Sequence, residues 1–155
     1  MVYSKTKEVL NQLVADLYTM RVIVHQTHWY MRDHGFLFYH PLLDDFIDDI
    51  DDQVDEVAER LVTLDGAPYS TLQAFHEHTQ LEENKGTFDH TIEEQLTRLV
   101  KNYQQIADTL EKGIQIADEE NDLVSQDMLI AIKGDFYKRI CMLQGDRGKA
   151  PCLKH

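Results

Sequence analysis

Residues 28–59 read HWYMRDHGFLFYHPLLDDFIDDIDDQVDEVAE, and this stretch decides the fold and the chemistry together. Two histidines, His28 and His40, stand twelve residues apart across a break at Asp33-His34-Gly35. Beyond His40 the chain is dense in carboxylates. Leu43, Phe46, Ile47, Ile50, Val54, Val57, Ala58 and Leu61 gather on one side of a helical wheel. Asp44, Asp48, Asp51, Asp55 and Glu59 form a second stripe, and Asp45, Asp49, Asp52 and Glu56 a third beside it. Imidazole with carboxylate is the donor set of a non-haem iron or similar divalent-metal site.

Working outward, the spacing predicts a helix before the break. Leu10, Leu13, Val14, Leu17, Val24, His28 and Met31 recur at three and four residues, from a cap at Ser4 to about Arg32. Gly35 is a natural left-handed stop. Pro41 suits the first turn of a second helix, which ends near Asp65-Gly66. Residues 66–88 are a connection, with one short helix at Ser70 to His76. A third long helix is expected from about Asp89 to Ala117, with Ile92, Leu96, Leu99, Val100, Tyr103, Ile106, Leu110 and Ile114 inward. After a break at Asp118 to Val124, Ser125 caps a last helix carrying Met128, Leu129, Ile132, Phe136, Ile140 and Leu143 to about Gln144. The expectation is a single all-α domain over 1–155. Four long helices with their long link in the middle make a ferritin-like four-helix bundle with one long crossover carrying a short helix.

Composition narrows the classes. With 155 residues, 43% of them hydrophobic, the chain is long enough for one core. A net charge of -13 argues against a nucleic-acid partner, since phosphate contacts need Lys and Arg, and it suits cations. Cys141 and Cys152 form no framework and no ligand spacing. There is no basic-then-apolar leader and no stretch near the ~20 apolar residues of a membrane span, so a cytoplasmic protein is expected.

The di-iron pattern within one bundle places Glu-x-x-His on two helices. None of the eight histidines has Asp or Glu three residues before it. The usable donors sit on the first two helices and their link. Helical rise sets His28 and Asp55 about 13 Å apart in height in an antiparallel hairpin. A metal needs its ligands within ~2.0–2.5 Å. Asp44 falls near the height of His28, but Asp55 does not. A two-fold partner resolves this: Asp55 and Glu59 from one subunit face a metal that His28, His40 and Asp44 of the other reach.

These residues resemble the Dps family, the mini-ferritins. The likeness rests on His28-Trp29, His40 twelve residues on, Asp44, and DEVAERL at 55–61. It extends through Ser70-Thr71-Leu72, through DLVSQDMLIAIK at 122–133 and GKAP at 148–151. The resemblance implies a hollow homododecamer with ferroxidase sites at its two-fold interfaces. His28, His40 and Asp44 would come from one subunit, Asp55 and Glu59 from its neighbour. Ferrous iron would be oxidised, preferentially by hydrogen peroxide rather than oxygen, and stored as ferric mineral. It implies that Asp122 and Asp127 line three-fold iron-entry pores, and that Trp29 lies beside the metal as an electron donor. One departure is Cys141, where the family often has Trp. Another is the missing lysine-rich tail: only Lys5 and Lys7 stand at one end, Lys149 and Lys154 at the other.

Plainer readings stand beside these. A lone His28 on an apolar stripe is more often a hydrogen-bonded core residue, and His40 alone could cap a helix. His25, His34, His76, His78 and His90 read as surface or structural. The stripe Asp45, Asp49, Asp52 and Glu56 is either a solvated face or an iron-nucleating inner wall. Asp122 and Asp127 read alternatively as loop and cap residues, and Trp29 as interface packing. Among functions, an iron-oxidising enzyme stands against a DNA-compacting protein and a plain helical interaction module.

Overall fold

The structure, a computed structural model, describes residues 2–153, so Lys154 lies outside the described residues. Within them the chain is all-α: α1 Ser4–Tyr30, α2 Phe36–Thr63, α3 Leu72–His78, α4 Ile92–Glu119 and α5 Leu123–Asp146. Each long helix buries the stripe that its spacing predicts. Leu10, Leu13, Leu17 and Val24 of α1 meet Leu43, Phe46, Ile50 and Leu61 of α2 in one core. Leu96, Leu99, Tyr103, Ile106 and Leu110 of α4 and Leu129, Ile132, Phe136 and Ile140 of α5 complete it. Tyr103 stands at its centre, edge-on to Phe46 and tilted against Phe136. No helix among the described residues is long and apolar enough to cross a membrane.

The ends of the helices differ from expectation, and the reasons are local. Ser4 does not cap α1; Tyr3, in a left-handed conformation at φ 55°, precedes it. α2 begins five residues before Pro41, because Gly35 at φ 102° turns the chain straight into it. Pro41 therefore lies inside the helix, where it removes one bond to the Leu37 carbonyl. Leu37 is 89% exposed, so water can take that place. α3 is capped by Thr71 and α4 by Thr91, the latter in a capping box with Glu94. α5 is capped by Asp122 rather than Ser125, whose backbone N–H donates to the Asp122 carboxylate at 3.1 Å.

Hydrogen bonds fix the directions. His28 and Arg21 of α1 meet residues 40–51 of α2, while Asn11 reaches Ala67, so the two helices are antiparallel. Gln95 of α4 reaches Tyr30, and Glu120, just past α4, reaches Thr6, so α4 is antiparallel to α1 as well. α2 and α4 thus run the same way, and the chain between them must travel the bundle's length. It does so along α1, tied first at Asn11, then at Asp16 and last at Gln26. Asp16 is 1% exposed and accepts from Thr79 Oγ1 at 2.9 Å and from the Gln80 backbone at 2.7 Å. Burial pushes its carboxyl above the ordinary value, and those hydrogen bonds only partly offset it.

A side chain at Gly35 would force an L residue into the left-handed region and press a Cβ to 3.3 Å from Tyr39. Gly134, inside α5 with nothing within 4 Å, carries no such constraint. Gly35→Ala is expected to lower the unfolding free energy by about 1–2 kcal/mol and Gly134→Ala to raise it by about 0.5–1 kcal/mol. Denaturation at one protein concentration checks both.

Candidate metal centre

His28 projects from the last two turns of α1 and His40 from the second turn of α2, and the helix pairing brings them face to face. Their rings stack at 3.7 Å with 9° between planes. His28 Nδ1 donates to the His40 carbonyl at 2.5 Å, and His40 Nδ1 donates to the His28 carbonyl at 2.9 Å. A carbonyl only accepts, so the proton of each neutral ring is on Nδ1. Each Nε2 is left with a lone pair, the form in which imidazole binds a metal. The reciprocal bonds also fix both ring planes. His28 is 8% exposed, and its Nε2 stands 3.5 Å from Asp44 Oδ1, whose side chain is 62% exposed.

The structure therefore brings His28, His40 and Asp44 together and leaves Asp55 and Glu59 elsewhere. From Asp44, at the level of His28, Asp55 lies about 16 Å farther along α2 and Glu59 about 22 Å. The separation is wider than the 13 Å expected because the helix pairing sets His28 level with Asp44 itself. Among the described residues no three His, Cys, Asp or Glu side chains are grouped to hold a metal ion. Asp55 and Glu59 are exposed, one turn apart. Glu56, Glu59 and Asp127 share the wall of a groove of about 400 Å³ between the end of α2 and the start of α5.

Three arginines engage acids that the spacing alone leaves free. Arg21 Nε donates to Asp51 at 2.5 Å, bracing α1 on α2. Arg139 of α5 binds Asp49, with its guanidinium over the Phe46 ring. Asp49 is thus a paired, half-buried residue, while Asp45, Asp52 and Glu56 of the same stripe are exposed. Arg60 Nη2 donates to Asp122 at 2.7 Å. Asp122 is 2% exposed, so its carboxylate is turned into the chain as a cap and arginine partner, whereas Asp127 faces outward. The cap was the alternative reading the sequence offered for Asp122, three residues before Ser125 at a helix start, but the sequence did not mark its arginine partner. Nothing in it marks Arg21, Arg60 or Arg139, whose partners are distant in the chain.

Trp29 is 63% exposed and stacks on His25 at 4.9 Å, with 4° between planes. Burial, then the nearby charge of Arg21, holds His25 below the ordinary imidazole range. The indole follows His28 in the chain and, among the described residues, is left largely exposed.

Comparisons with known proteins bear on the fold and the family. A family model described as a ferritin-like domain matches residues 7–149. A protein of Streptococcus suis named "DNA protection during starvation protein" is 47% identical over 148 residues, covering 96% of this chain and 86% of its own. The X-ray structure of Dps from Listeria monocytogenes superposes with a TM-score of 0.92 at 42% identity, covering 94% of this chain and 95% of that one. The structure of Dps from Listeria innocua soaked with cobalt has the same TM-score and identity, with 94% of each chain covered.

Burial alone pushes the Asp122 carboxyl up, but the hydrogen bonds from Ser125 and the Arg60 guanidinium more than reverse this, and it lies below the ordinary 3.8. The fold thus favours the ionised form. Its stabilisation is complete above the ordinary carboxylate value and fades as pH falls through the lowered one. Asp122→Asn is expected to cost about 1–3 kcal/mol equally at pH 7 and pH 5, with the gap closing below pH 3.8. Denaturant titrations of both proteins across this range check the prediction.

Proposed function

The chain belongs to the Dps family of ferritin-like proteins, and from that premise we propose that it oxidises ferrous iron at sites shared by two subunits and keeps the ferric product as mineral. The observation that carries this reading is the imidazole pair. Both rings hold their Nδ1 protons on backbone carbonyls and present Nε2 beside Asp44. The cobalt-soaked relative supports divalent-metal binding on this scaffold.

His28, His40 and Asp44 of one subunit receive ferrous iron, and Asp55 and Glu59 of a two-fold partner complete its surroundings. The distance along α2 supports the division. Hard carboxylate oxygens stabilise the ferric product more than the ferrous substrate, while imidazole suits both. Each ferrous ion gives up one electron. Hydrogen peroxide accepts two electrons with two protons and leaves as two waters; oxygen is the alternative oxidant. Trp29, beside the pair and uncovered within its own chain, packs at the two-fold contact and can supply an electron. Asp127 is the outward acid that suits an iron-entry pore; Asp122 contributes by holding the start of α5 in place. Asp45, Asp52 and Glu56 are the exposed acids suited to mineral nucleation. The whole particle is a hollow dodecamer.

Protection by such a particle is chemical, because iron and peroxide are consumed together. A charge of -13 per chain opposes coating of DNA. In a gel-shift at low salt without divalent cations, DNA is expected to migrate unretarded.

Sharing between subunits has a direct test. His28→Ala and Asp55→Ala particles should each lose nearly all oxidation of ferrous iron. Random co-assembly of the two in equal amounts regenerates one intact site at each mixed two-fold contact, and so restores roughly a quarter of the wild-type rate. Anaerobic ferrous loading followed by peroxide or oxygen, read by ferric absorbance, measures it. No recovery in well-formed mixed particles would defeat the shared site.

A further inference from the structure

A cavity of about 330 Å³ opens between the end of α1, the last part of the crossover and the first turns of α4. It shares no lining residue with the imidazole pair. Tyr30 lines one side, and Gly86 packs so tightly on its ring that a Cβ there would fall 2.4 Å from it.

Two groups on this wall are incomplete in complementary ways. The first is Arg98, half-buried, whose Nη1 donates to Gln26 Oε1 at 2.6 Å. Arg21, Arg60, Arg139 and Arg147 each have a carboxylate partner; among the described residues no carboxylate pairs with Arg98. Burial holds its guanidinium below the ordinary value, against the weaker opposing charge of Glu82. The second is Gln95, 7% exposed. Its Nε2 donates to the Tyr30 carbonyl at 3.3 Å, which fixes the orientation of the amide. Its Oε1 is therefore the other arm, buried with no donor. Lys85 lies on the same wall. Glu94, the one acid there, is occupied by the Thr91 backbone N–H and by His90 at the start of α4.

A ligand that completes both groups must accept from a guanidinium and donate to an amide oxygen. A fully deprotonated anion satisfies only the first. We propose that this cavity binds a small oxyanion that retains a proton, with inorganic hydrogen phosphate as its simplest form. Arg98, helped by Lys85, takes the charge, and Gln95 Oε1 reads the hydroxyl.

Sulfate is the discriminating probe. It matches phosphate in shape but carries no proton at neutral pH. Titration calorimetry on the assembled, metal-free protein at pH 7 keeps ferric mineral out of the readout. Phosphate is expected to bind roughly tenfold or more tightly than sulfate. Arg98→Gln should abolish phosphate binding, and Gln95→Met should remove the preference between the anions, both with unchanged helicity and particle size. The wild-type comparison stands even if a variant fails to fold. No phosphate binding, equal affinity for the two anions, or binding untouched by Arg98→Gln in a folded particle overturns the proposal.

Discussion

Two side chains on paired straight helices keep the separation along the axis that the backbone rise gives them. This constraint governs the molecule. Once His28 is level with Asp44, no rotamer can bring Asp55 or Glu59 of the same chain to it, because a carboxylate side chain spans far less than about 16 Å. The donors proposed for the metal therefore sort into two groups on one chain. A two-fold contact would complete the proposed site twice, with each protomer giving both halves. The assembly proposed for this chain follows from that arithmetic of length.

The imidazole pair shows how little is needed to orient the rings of the proposed site. Two backbone carbonyls set both tautomers, and the parallel contact of the rings sets their planes. No carboxylate is needed behind either ring. The acids remain for the metal or for the arginines. The arginines divide the acidic helix by function: Asp49 and Asp51 tie α2 to its neighbours, while Asp45, Asp52, Asp55, Glu56 and Glu59 stay open to solvent. So acidic a helix tolerates its own charge partly because its neighbours neutralise selected positions.

Much of this was legible in the chain itself. The apolar stripes of α1, α2, α4 and α5 identify the bundle, because burial at helical spacing leaves a strong periodic signal. The twelve-residue gap between His28 and His40, with Asp44 following, identified the cluster now seen at one level. Helix ends were less legible. Pro41 invites a helix start, but Gly35 had already supplied one, and the propensity of a single residue yields to the turn before it. The pairing of Asp122 with Arg60 was hidden, since the two are sixty-two residues apart and on different helices. Long-range pairs of that kind leave no periodic trace.

The strap between α2 and α4 is fastened to α1 by an acid of unusual character. Asp16 is held wholly by uncharged donors, and burial leaves it readier than a free carboxyl to take a proton. Acidification, which in the end strips Asp122 of the charge it offers Arg60, relieves Asp16 of a charge that the interior resists. Souring the solution should accordingly protonate Asp16 first, and only below the ordinary carboxylate range loosen the α2–α5 seam at Arg60. The balance between these two fastenings thus shifts with the proton supply around the molecule.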